Sequence, residues 1–317
     1  MVAPLASVIV PSFNGAHLLP DCLDSLARQS YARLEVIVAD GASTDHTPRL
    51  LARAYPDVRL LRLRRNAGFT GNVNAGLRAA RGEVLCLINN DAWAEPNWVE
   101  TCVEALRSHP TIGSVASKVL YADGRTINSA GDTFCRDGAA RQRGAGEPDG
   151  PRWDQLEPVF GAMGGAAAYR RAMLADVGLL DEAFFMYLED VDLAFRAQLM
   201  GWTCLYQPAA RVYHHGSASG GGRLASFYNG RNLIRLLAKD LPAGLMSRML
   251  PAIRRYQARR AREALLAWRG EAARATLRGQ LCGLAGLPRH LADRAAIQRR
   301  RRVSDEALYA LFSPGVV

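Results

Sequence analysis

Four short apolar segments that alternate with helical segments over the first ninety residues constrain the fold of this chain most. We predict a helix over about 16–29 after the first of them, and another that ends near Ala80 before the fourth. After Asp40, either Ser43 or Thr44 can cap a further helix. Strands that alternate with helices at this spacing form βαβ units, so we predict an α/β fold with a mainly parallel sheet flanked by helices. The predicted strands are residues 7–10, 34–39, 58–63 and 83–88.

The regular pattern loosens after residue 110. Residues 120–158, which are rich in glycine, aspartate, arginine and proline, predict hairpins and loops beside the core. A helix is predicted over 189–200 and a strand over 203–207. From residue 224 onward the pattern is that of amphipathic helices, with predicted breaks at Pro251, Gly270 and Pro288.

The net charge of +10 is concentrated in the C-terminal part of the chain. Residues 241–303 carry fifteen arginines against three acidic residues, a balance of +12, and residues 304–317 add −2. Residues 1–240 are therefore neutral overall. This division predicts a catalytic domain over 1–240 and a basic helical extension over 241–317, and it argues against an active site that binds nucleic acid.

The composition also leads us to expect a cytoplasmic protein. No stretch reaches eighteen uninterrupted apolar residues, so we expect no membrane-spanning helix. The N-terminus lacks a basic region and a cleavage site, so we do not expect the protein to be exported. The six cysteines contain no C-x-x-C pair, so we predict free thiols in a reducing compartment.

Carboxylates and histidines occupy three separated positions where an α/β chain can direct them into one site. Asp91 follows the fourth predicted strand, at the carboxyl end where open α/β sheets bind ligands. Glu189 and Asp190 begin a predicted helix, and His214 with His215 follows a strand pattern. This set predicts a divalent-metal site with a general base, and thus transfer chemistry on a phosphorylated substrate. The alternative is that the acids complement a helix dipole and the histidines pack in a loop.

Polar turns end the first two predicted strands on the same edge of the sheet. Amides of the turn Pro11–Gly15 can face a diphosphate, and Asp40 can accept from a base or a ribose, unless it simply belongs to a turn. Asn66, Asn72 and Asn74 surround a glycine-rich helix entry, where they bind a nucleotide or cap the helix. Because no G-x-G-x-x-G follows the first strand, a dinucleotide-dependent dehydrogenase is disfavoured.

Several segments of the chain resemble a known family. Six segments in fixed order are similar to family 2 glycosyltransferases of the GT-A fold, and most similar to bacterial rhamnosyltransferase-like enzymes. The resemblance covers roughly residues 5–240, and the segment RNLIRLL at 231–237 also fits it. The six segments are SVIVPSFNG, VIVADGASTD, RNAGFTGNVNAG, LINND, DEAFFMYLEDVDLAFRAQLMGW and ARVYHHGSAS.

The resemblance implies a role for individual residues. Asp190 corresponds to the catalytic base with Glu189 beside it, and Asp91 with His214 corresponds to the ligands of Mg²⁺ or Mn²⁺. The D-x-D metal motif of the family is here Asn89-Asn90-Asp91, which keeps one carboxylate. The residues that the resemblance assigns to nucleotide binding are Pro11, Ser12, Phe13, Asn14, Asp40, Asn66, Gly68, Phe69, Asn72, Asn74, Asn89 and Asn90.

The resemblance also implies substrates. We expect inverting transfer from a nucleotide-sugar donor, dTDP-rhamnose first and UDP-sugars next, to a saccharide or lipid-linked acceptor in cell-surface polysaccharide or glycoconjugate synthesis. The alternatives are a nucleotidyltransferase and a non-catalytic basic module. A nucleotidyltransferase would need a basic loop after the first strand, but Pro11–Gly15 contains no lysine or arginine. A non-catalytic basic module would leave Asp91 and Asp190 without a role.

Two segments outside the predicted site invite a functional interpretation. Leucine and methionine pairs recur among the arginines of the extension at helical intervals. Such helices either lie on an anionic membrane surface, here the inner face of the cell membrane, or cover the catalytic body or the second subunit of a homodimer; the pattern favours the membrane. The glycine-rich segment Gly216–Gly222 predicts a lid over bound donor or an ordinary connection.

Overall fold

The computed structural model describes residues 3–216 and 222–315, and within them one ten-stranded mixed sheet is formed by strands between Ala6 and His214. The lid prediction concerns Gly216–Gly222, of which residues 217–221 lie outside the described part.

The N-terminal half of the sheet is parallel, as the sequence predicts. The first strand of the chain pairs in parallel with the second and the fourth, and the third pairs in parallel with the second. The first and fourth strands are buried along their whole length, which is typical of parallel strands covered by helices on both faces. These strands and the helices that connect them are β1 Ala6–Ser12, α1 Leu19–Ala27, β2 Leu34–Asp40, α2 Thr47–Ala54, β3 Arg59–Arg62, α3 Gly68–Ala79 and β4 Val84–Ile88.

The second half of the chain extends the sheet beyond β4 with strands of both directions. Its elements are β5 Ala92–Ala94, α4 Trp98–Ser108, β6 Ile112–Tyr121, β7 Ile127–Ser129, β8 Asp132–Phe134, β9 Ala140–Gln142, β10 Glu157–Val159, β11 Ala166–Arg170, α5 Arg171–Val177, α6 Glu189–Leu199 and β12 Thr203–His214, with 3₁₀ turns at Pro151–Trp153 and Glu182–Phe184.

The main path of the sheet runs β10-β12-β6-β11-β4-β1-β2-β3. β11 is antiparallel to both β4 and β6, and β12 is parallel to β6. The strand predicted over 203–207 in fact extends to His214. Its register is irregular between Gln207 and Arg211, around Pro208, and this explains why the sequence pattern ends there.

Helices cover both faces of the sheet. On one face Val8 and Val10 pack with Leu19 of α1 and the fully buried Trp98 of α4. On the other face Ile9 packs in a second cluster that includes Val73 of α3 and residues of α5 and α6. Successive residues of β1 thus serve opposite cores, as the alternation of side chains in a strand requires.

The C-terminal part is helical and packs onto the part of the chain that carries the sheet through a third cluster. Phe195 contacts Phe134 and Phe160 edge to face, Phe312 contacts Phe134 in the same way, and leucines of the first two C-terminal helices join them. The cluster ties β8 and α6 to these helices. They are α7 Gly222–Asp240, α8 Ala243–Leu266, α9 Glu271–Ala285, α10 Leu287–Arg299 and α11 Asp305–Ala310.

The predicted breaks of this part are confirmed at two of three positions. Gly270 precedes α9 and Pro288 lies in the first turn of α10, where proline is well tolerated. The predicted break at Pro251 is wrong, because Pro251 lies inside α8. Its ring and Ser247, one turn earlier, are exposed, so water can satisfy the carbonyl that loses its partner. Among the described residues, no helix combines the length and the apolar character needed to cross a bilayer.

Candidate active site

Three distant stretches of the chain meet at one open cavity of about 680 Å³ beyond the carboxyl ends of β4 and β12. Asp91 enters from the loop after β4, His214 from the last residue of β12, and Asp190 with Glu189 from the first turn of α6. The sequence predicted that these side chains share a site, and the structure places all four on the wall of the same cavity.

His214 and Asp91 are in direct contact. His214 Nε2 lies 3.1 Å from Asp91 Oδ1, and both side chains are buried. The other ring nitrogen, Nδ1, lies 3.1 Å from Oδ1 of Asn128, a buried residue of β7. A hydrogen bond from Nδ1 to Asn128 leaves a lone pair on Nε2, which is the arrangement a metal-binding histidine needs. His215 instead packs its ring 4.8 Å from that of Trp93.

The first turn of α6 holds the carboxylate of Asp190 by backbone groups. Its Oδ2 accepts from the N–H of Gly164 at 2.8 Å, and its Oδ1 accepts from the N–H of Val191 at 2.8 Å. A side chain at position 164 would approach Asp190 Oδ2 to 3.3 Å, so the glycine permits this contact. The carboxylate is therefore oriented before any substrate arrives.

The segment before α6 has an unusual backbone. Phe185, Tyr187 and Leu188 all have positive φ, between 66° and 67°, a region that costs non-glycine residues of the order of 1–3 kcal/mol each. Side chains of α7 hold this segment in place. Asn232 Nδ2 donates to the carbonyl oxygens of Met186 and Tyr187, and Arg231 donates to those of residues 183 and 184.

Three carboxyl groups at the cavity have raised pKa values. Burial raises the pKa of Asp190, and burial together with the charge of Asp190 raises those of Glu189 and Asp132 well above their usual range. Within the described residues, Glu189 Oε2 and Asp132 Oδ2 have no hydrogen-bond partner. Asp190 differs because two backbone N–H groups favour its ionised form. Of the three, Asp190 is the group that its surroundings favour as a base.

The rim that follows the cavity towards β1 carries predicted nucleotide-binding residues. Asn89 and Phe69 line the cavity itself. Asn90 Nδ2 donates to Ser12 Oγ at 3.3 Å, which joins the end of β4 to the end of β1. Pro11 precedes Ser12 in β1, and Phe13 next to it is 46% exposed. These residues form a continuous edge beside Asp91.

Asp40 lies at the next strand end but its carboxylate is fully buried. It accepts from the N–H and the hydroxyl of Ser43 and lies 3.7 Å from Arg62 Nε. The prediction that Ser43 or Thr44 caps α2 is wrong, because α2 begins at Thr47 without a side-chain cap. The acidic partner at the strand end outcompetes the helix for the Ser43 hydroxyl. Asn14 Oδ1 accepts from the N–H of Thr44, and this contact closes the same turn.

The asparagines at the entry of α3 have different surroundings. Asn66 Oδ1 accepts from the N–H of Gly68, and Asn72 is buried with its Oδ1 unpartnered among the described residues. Gly68 has a positive φ of 75°. The amide of Asn74 donates to the carbonyl of Leu180 and accepts from its N–H, so it ties α3 to the segment before α6. Its contacts with Leu180 argue against a role of Asn74 in nucleotide binding.

Sequence reasoning missed four residues that shape this site: Asn128, Asp132, Arg231 and Asn232. The first two come from a region that the sequence marks only as hairpins and loops. The small-residue turn between them, Ser129-Ala130-Gly131, was the available signal of a tight approach to the core. The other two lie in the RNLIRLL segment, whose similarity to the family carried no assigned role.

The architecture is shared with solved structures. A mannosyltransferase from Pyrobaculum calidifontis, in complex with GDP-Man and Mn²⁺, matches 98% of this chain and 84% of its own, with a TM-score of 0.56 and 21% identity. GalNAc-T7, crystallised with UDP, GalNAc and Mn²⁺, matches 74% of this chain and 48% of its own, with a TM-score of 0.59 and 17% identity. The sheet and its flanking helices define the GT-A fold.

Sequence comparison specifies the family. The family model described as glycosyl transferase family 2 matches residues 7–178. An N-acetylglucosaminyl-diphospho-decaprenol L-rhamnosyltransferase of Mycobacterium tuberculosis is 32% identical over an alignment of 249 positions that covers 71% of this chain and 80% of that protein. An O-antigen biosynthesis protein of Myxococcus xanthus is 29% identical over 68% of this chain, but over only 18% of its own length. The chain belongs to glycosyl transferase family 2 and is a glycosyltransferase similar to rhamnosyltransferases.

Proposed function

We propose that this glycosyltransferase moves a sugar, with inversion, from a nucleoside diphosphate donor to a hydroxyl group of a lipid-linked saccharide. The observation that carries the proposal is the position of Asp190 on the same cavity as Asp91 and His214. A base and a site for an anionic leaving group thus lie across one space that is large enough for a sugar ring.

The reaction requires one displacement. The Asp190 carboxylate takes the proton of the acceptor hydroxyl, whose oxygen then forms the new bond to the anomeric carbon of the donor. The bond from that carbon to the diphosphate breaks, and its electron pair leaves with the diphosphate. Attack from the face opposite to the leaving group inverts the anomeric configuration. A positioned base of this kind contributes about 10²–10⁴-fold.

The residues present fit a divalent cation that is shared with the donor. Among residues 3–216 and 222–315, no group of three or more histidine, cysteine, aspartate or glutamate side chains is arranged to hold a metal ion. Asp91 and His214 supply two donors 3.1 Å apart, close to the roughly 3 Å between neighbouring ligands of an octahedral ion with ligand distances of about 2.1 Å. Diphosphate oxygens and water would complete the shell. A bound Mg²⁺ or Mn²⁺ would neutralise charge on the departing diphosphate.

The nucleoside of the donor is proposed to lie along the edge formed by Ser12, Asn89 and Asn90. For Asp40 to contact the base, Ser43 must release its carboxylate. We propose dTDP-rhamnose as the donor and a lipid-linked saccharide as the acceptor, because a relative at 32% identity is named for transfer of L-rhamnose to N-acetylglucosaminyl-diphospho-decaprenol. UDP-sugars are the next candidates.

The surroundings of the acceptor lead to a proposed location. A lipid-linked acceptor is confined to a membrane, and residues 241–303 carry a charge of +12. We propose that these helices hold the enzyme at the inner face of the cell membrane through anionic lipids. Contact with a second subunit of a homodimer is the competing role of the same helices.

The first experiment is a donor screen. Nucleotide release from dTDP-rhamnose, UDP-glucose and UDP-galactose is measured with and without Mn²⁺, using the wild-type chain and the Asp190→Asn variant. We expect release from dTDP-rhamnose, dependent on metal and on Asp190, and an inverted anomeric configuration by NMR of the product. Retention of configuration would contradict the proposed mechanism, and release from a UDP-sugar alone would contradict the donor.

A further inference from the structure

A second chamber, of about 350 Å³, adjoins the catalytic cavity on the side away from the donor edge. The two spaces share Ala140, Leu188 and Asn229 as lining residues, so they meet beside the residues that precede Asp190. The remaining wall of the chamber comes from α7, α8 and α9. A molecule in this chamber would therefore reach the base from the acceptor side.

Among the residues that the structure describes, the chamber contains a cation without an anionic partner. Arg260 of α8 is half-buried, and within the described residues its guanidinium contacts only the ring of Tyr256, at 5.9 Å from the centroid. Ser226 of α7 and Thr276 of α9 add hydroxyl groups to the wall. Guanidinium and hydroxyl groups around a small chamber form a donor set for phosphate oxygens. The catalytic cavity also has a guanidinium among its lining residues, that of Arg141, but this group lies 4.0 Å from Asp137 Oδ2.

An apolar groove lies next to the chamber between the same three helices. It has a volume of about 620 Å³, and on each helix one residue of its wall is the sequence neighbour of a residue of the chamber wall: Leu233 and Ile234 on α7, Tyr256 and Gln257 on α8, and Thr276 and Leu277 on α9. Its edge includes Leu265 and Leu281, which are 61% and 66% exposed. Large exposed apolar side chains of this kind mark a surface that binds an apolar partner.

The catalytic cavity thus offers a carboxylate base, the adjoining chamber a guanidinium group, and the groove an apolar wall. We infer that the chamber binds the phosphate group of an amphiphilic acceptor through Arg260, and that the groove holds the first part of its hydrocarbon chain. The inference rests on the proposed function, because only a glycosyltransferase that uses a phosphorylated lipid would need both features. A hydroxyl on the saccharide at the other end of such an acceptor would then face Asp190.

Binding of farnesyl diphosphate, a short lipid diphosphate, tests this without catalysis. Its affinity is measured by calorimetry with the donor site saturated by Mn²⁺ and the nucleoside diphosphate released in the donor screen. Arg260→Ala should weaken binding about tenfold or more, since a charge-assisted contact is lost, and Arg260→Lys should restore part of it. Arg262→Ala is the matched control, because Arg262 is exposed on the same helix, and we expect a change of less than about twofold.

A second pair of variants, one inside the groove and one outside it, tests the role of the groove. Leu281→Gln should weaken the binding of farnesyl diphosphate about fivefold and leave that of inorganic diphosphate unchanged, because only the first ligand has a hydrocarbon chain. Leu291→Gln, on α10 and 51% exposed, should change neither. If Leu281→Gln reduces sedimentation with anionic vesicles but not farnesyl diphosphate affinity, the groove is a membrane-binding face and its assignment to the acceptor chain is overturned.

Turnover separates failure of this inference from failure of the proposed function. A wild-type chain that releases no nucleotide from any donor contradicts the proposed function, whatever it binds. A chain that transfers sugar to a lipid diphosphate acceptor equally well with and without Arg260 contradicts the chamber assignment alone. Thermal unfolding and donor hydrolysis of each variant show that the fold and the donor site are intact.

Discussion

The side-chain nitrogen Nδ2 of Asn232 lies 2.7 Å from the carbonyl oxygen of Tyr187, a residue with positive φ. Asn232 is fully buried in α7, and the same nitrogen lies 2.8 Å from the carbonyl oxygen of Met186. A helix outside the sheet therefore fixes the backbone that leads into Asp190. The strained conformation of this backbone would otherwise relax, and the proposed base would move with it.

Replacing Asn232 tests this coupling. Asn232→Ala removes both donors, and Asn232→Asp places a carboxylate against carbonyl oxygens, so the aspartate variant should be the more damaging. We expect kcat to fall about 10–100-fold with little change in the KM for the donor, because a displacement of about 1 Å in a positioned group has effects of this size. Steady-state kinetics and thermal unfolding are compared. A lower unfolding temperature with an unchanged kcat would mean that Asn232 serves only stability.

The two aspartates of α6 should behave differently although they are two residues apart. Asp190→Asn removes the proposed base and should lower transfer about 10²–10⁴-fold while nucleotide affinity is kept. Asp192 instead forms buried ion pairs with Arg196 and Lys239. Asp192→Asn should therefore lower the free energy of unfolding by about 3–5 kcal/mol, with a much smaller effect on kcat per folded molecule. Denaturant unfolding and initial rates check both, and near-normal turnover by Asp190→Asn would exclude it as the base.

The raised pKa of Asp190 predicts the acid side of the pH profile. Transfer needs the ionised carboxylate, so kcat/KM should fall as the pH decreases through a pKa above the usual value of about 3.9 for aspartate. Burial and the charge of Asp190 raise the pKa of Asp132 well above its usual range, whereas burial is what raises the pKa of Asp190. Asp132→Asn should therefore leave this limb nearly in place, as should Asp57→Asn at an exposed position. A limb that moves in Asp132→Asn would show that Asp132 takes part in it.

Neighbouring histidines provide a matched test of the metal site. His214→Ala should abolish most of the increase in nucleotide affinity that Mn²⁺ produces, and Asp91→Asn should do the same. His215→Ala should leave it nearly intact, because the His215 ring packs on Trp93. Asn128→Ala should weaken metal affinity about 10–100-fold by releasing the His214 ring. Calorimetric titration with and without Mn²⁺ measures all four, and equal effects of the two histidine variants would contradict the assignment.

Local sequence patterns predicted the half of the site that depends on strand ends. Asp91 and Ser12 follow buried strands whose apolar runs are visible in the sequence, and parallel pairing brings such ends to one edge. Asp190 could be placed only at a helix start, and its orientation depends on the N–H of Gly164, which is 26 residues away in the chain. No periodicity encodes a contact of that kind.

The parts that escaped prediction are set by competition between alternative hydrogen-bond partners. Ser43 is of a residue type that caps helices but bonds to Asp40, three residues before it, and Asn74 is of a type that caps helices or binds ligands but bonds to Leu180. Asn128 reaches the cavity because β7 pairs with β6, and Asp132 lies in β8 and bridges to Gly161. Sequence propensity alone does not rank these alternatives.

Gly15 allows a test of the donor edge that leaves its polar residues in place. A Cβ atom at position 15 would lie 2.2 Å from Asn90 Nδ2 and 2.7 Å from Ser12 Oγ, so Gly15→Ala must push these two side chains apart. If the nucleoside diphosphate binds along this edge, its affinity should fall about tenfold. The proposed general base Asp190 lies elsewhere on the cavity wall and should keep its geometry. Gly150→Ala is the control, because a Cβ there would meet no atom within 4 Å. Calorimetry of nucleotide binding to the two variants, with thermal unfolding beside it, decides the matter: a folded Gly15→Ala protein with wild-type affinity would place the nucleoside elsewhere.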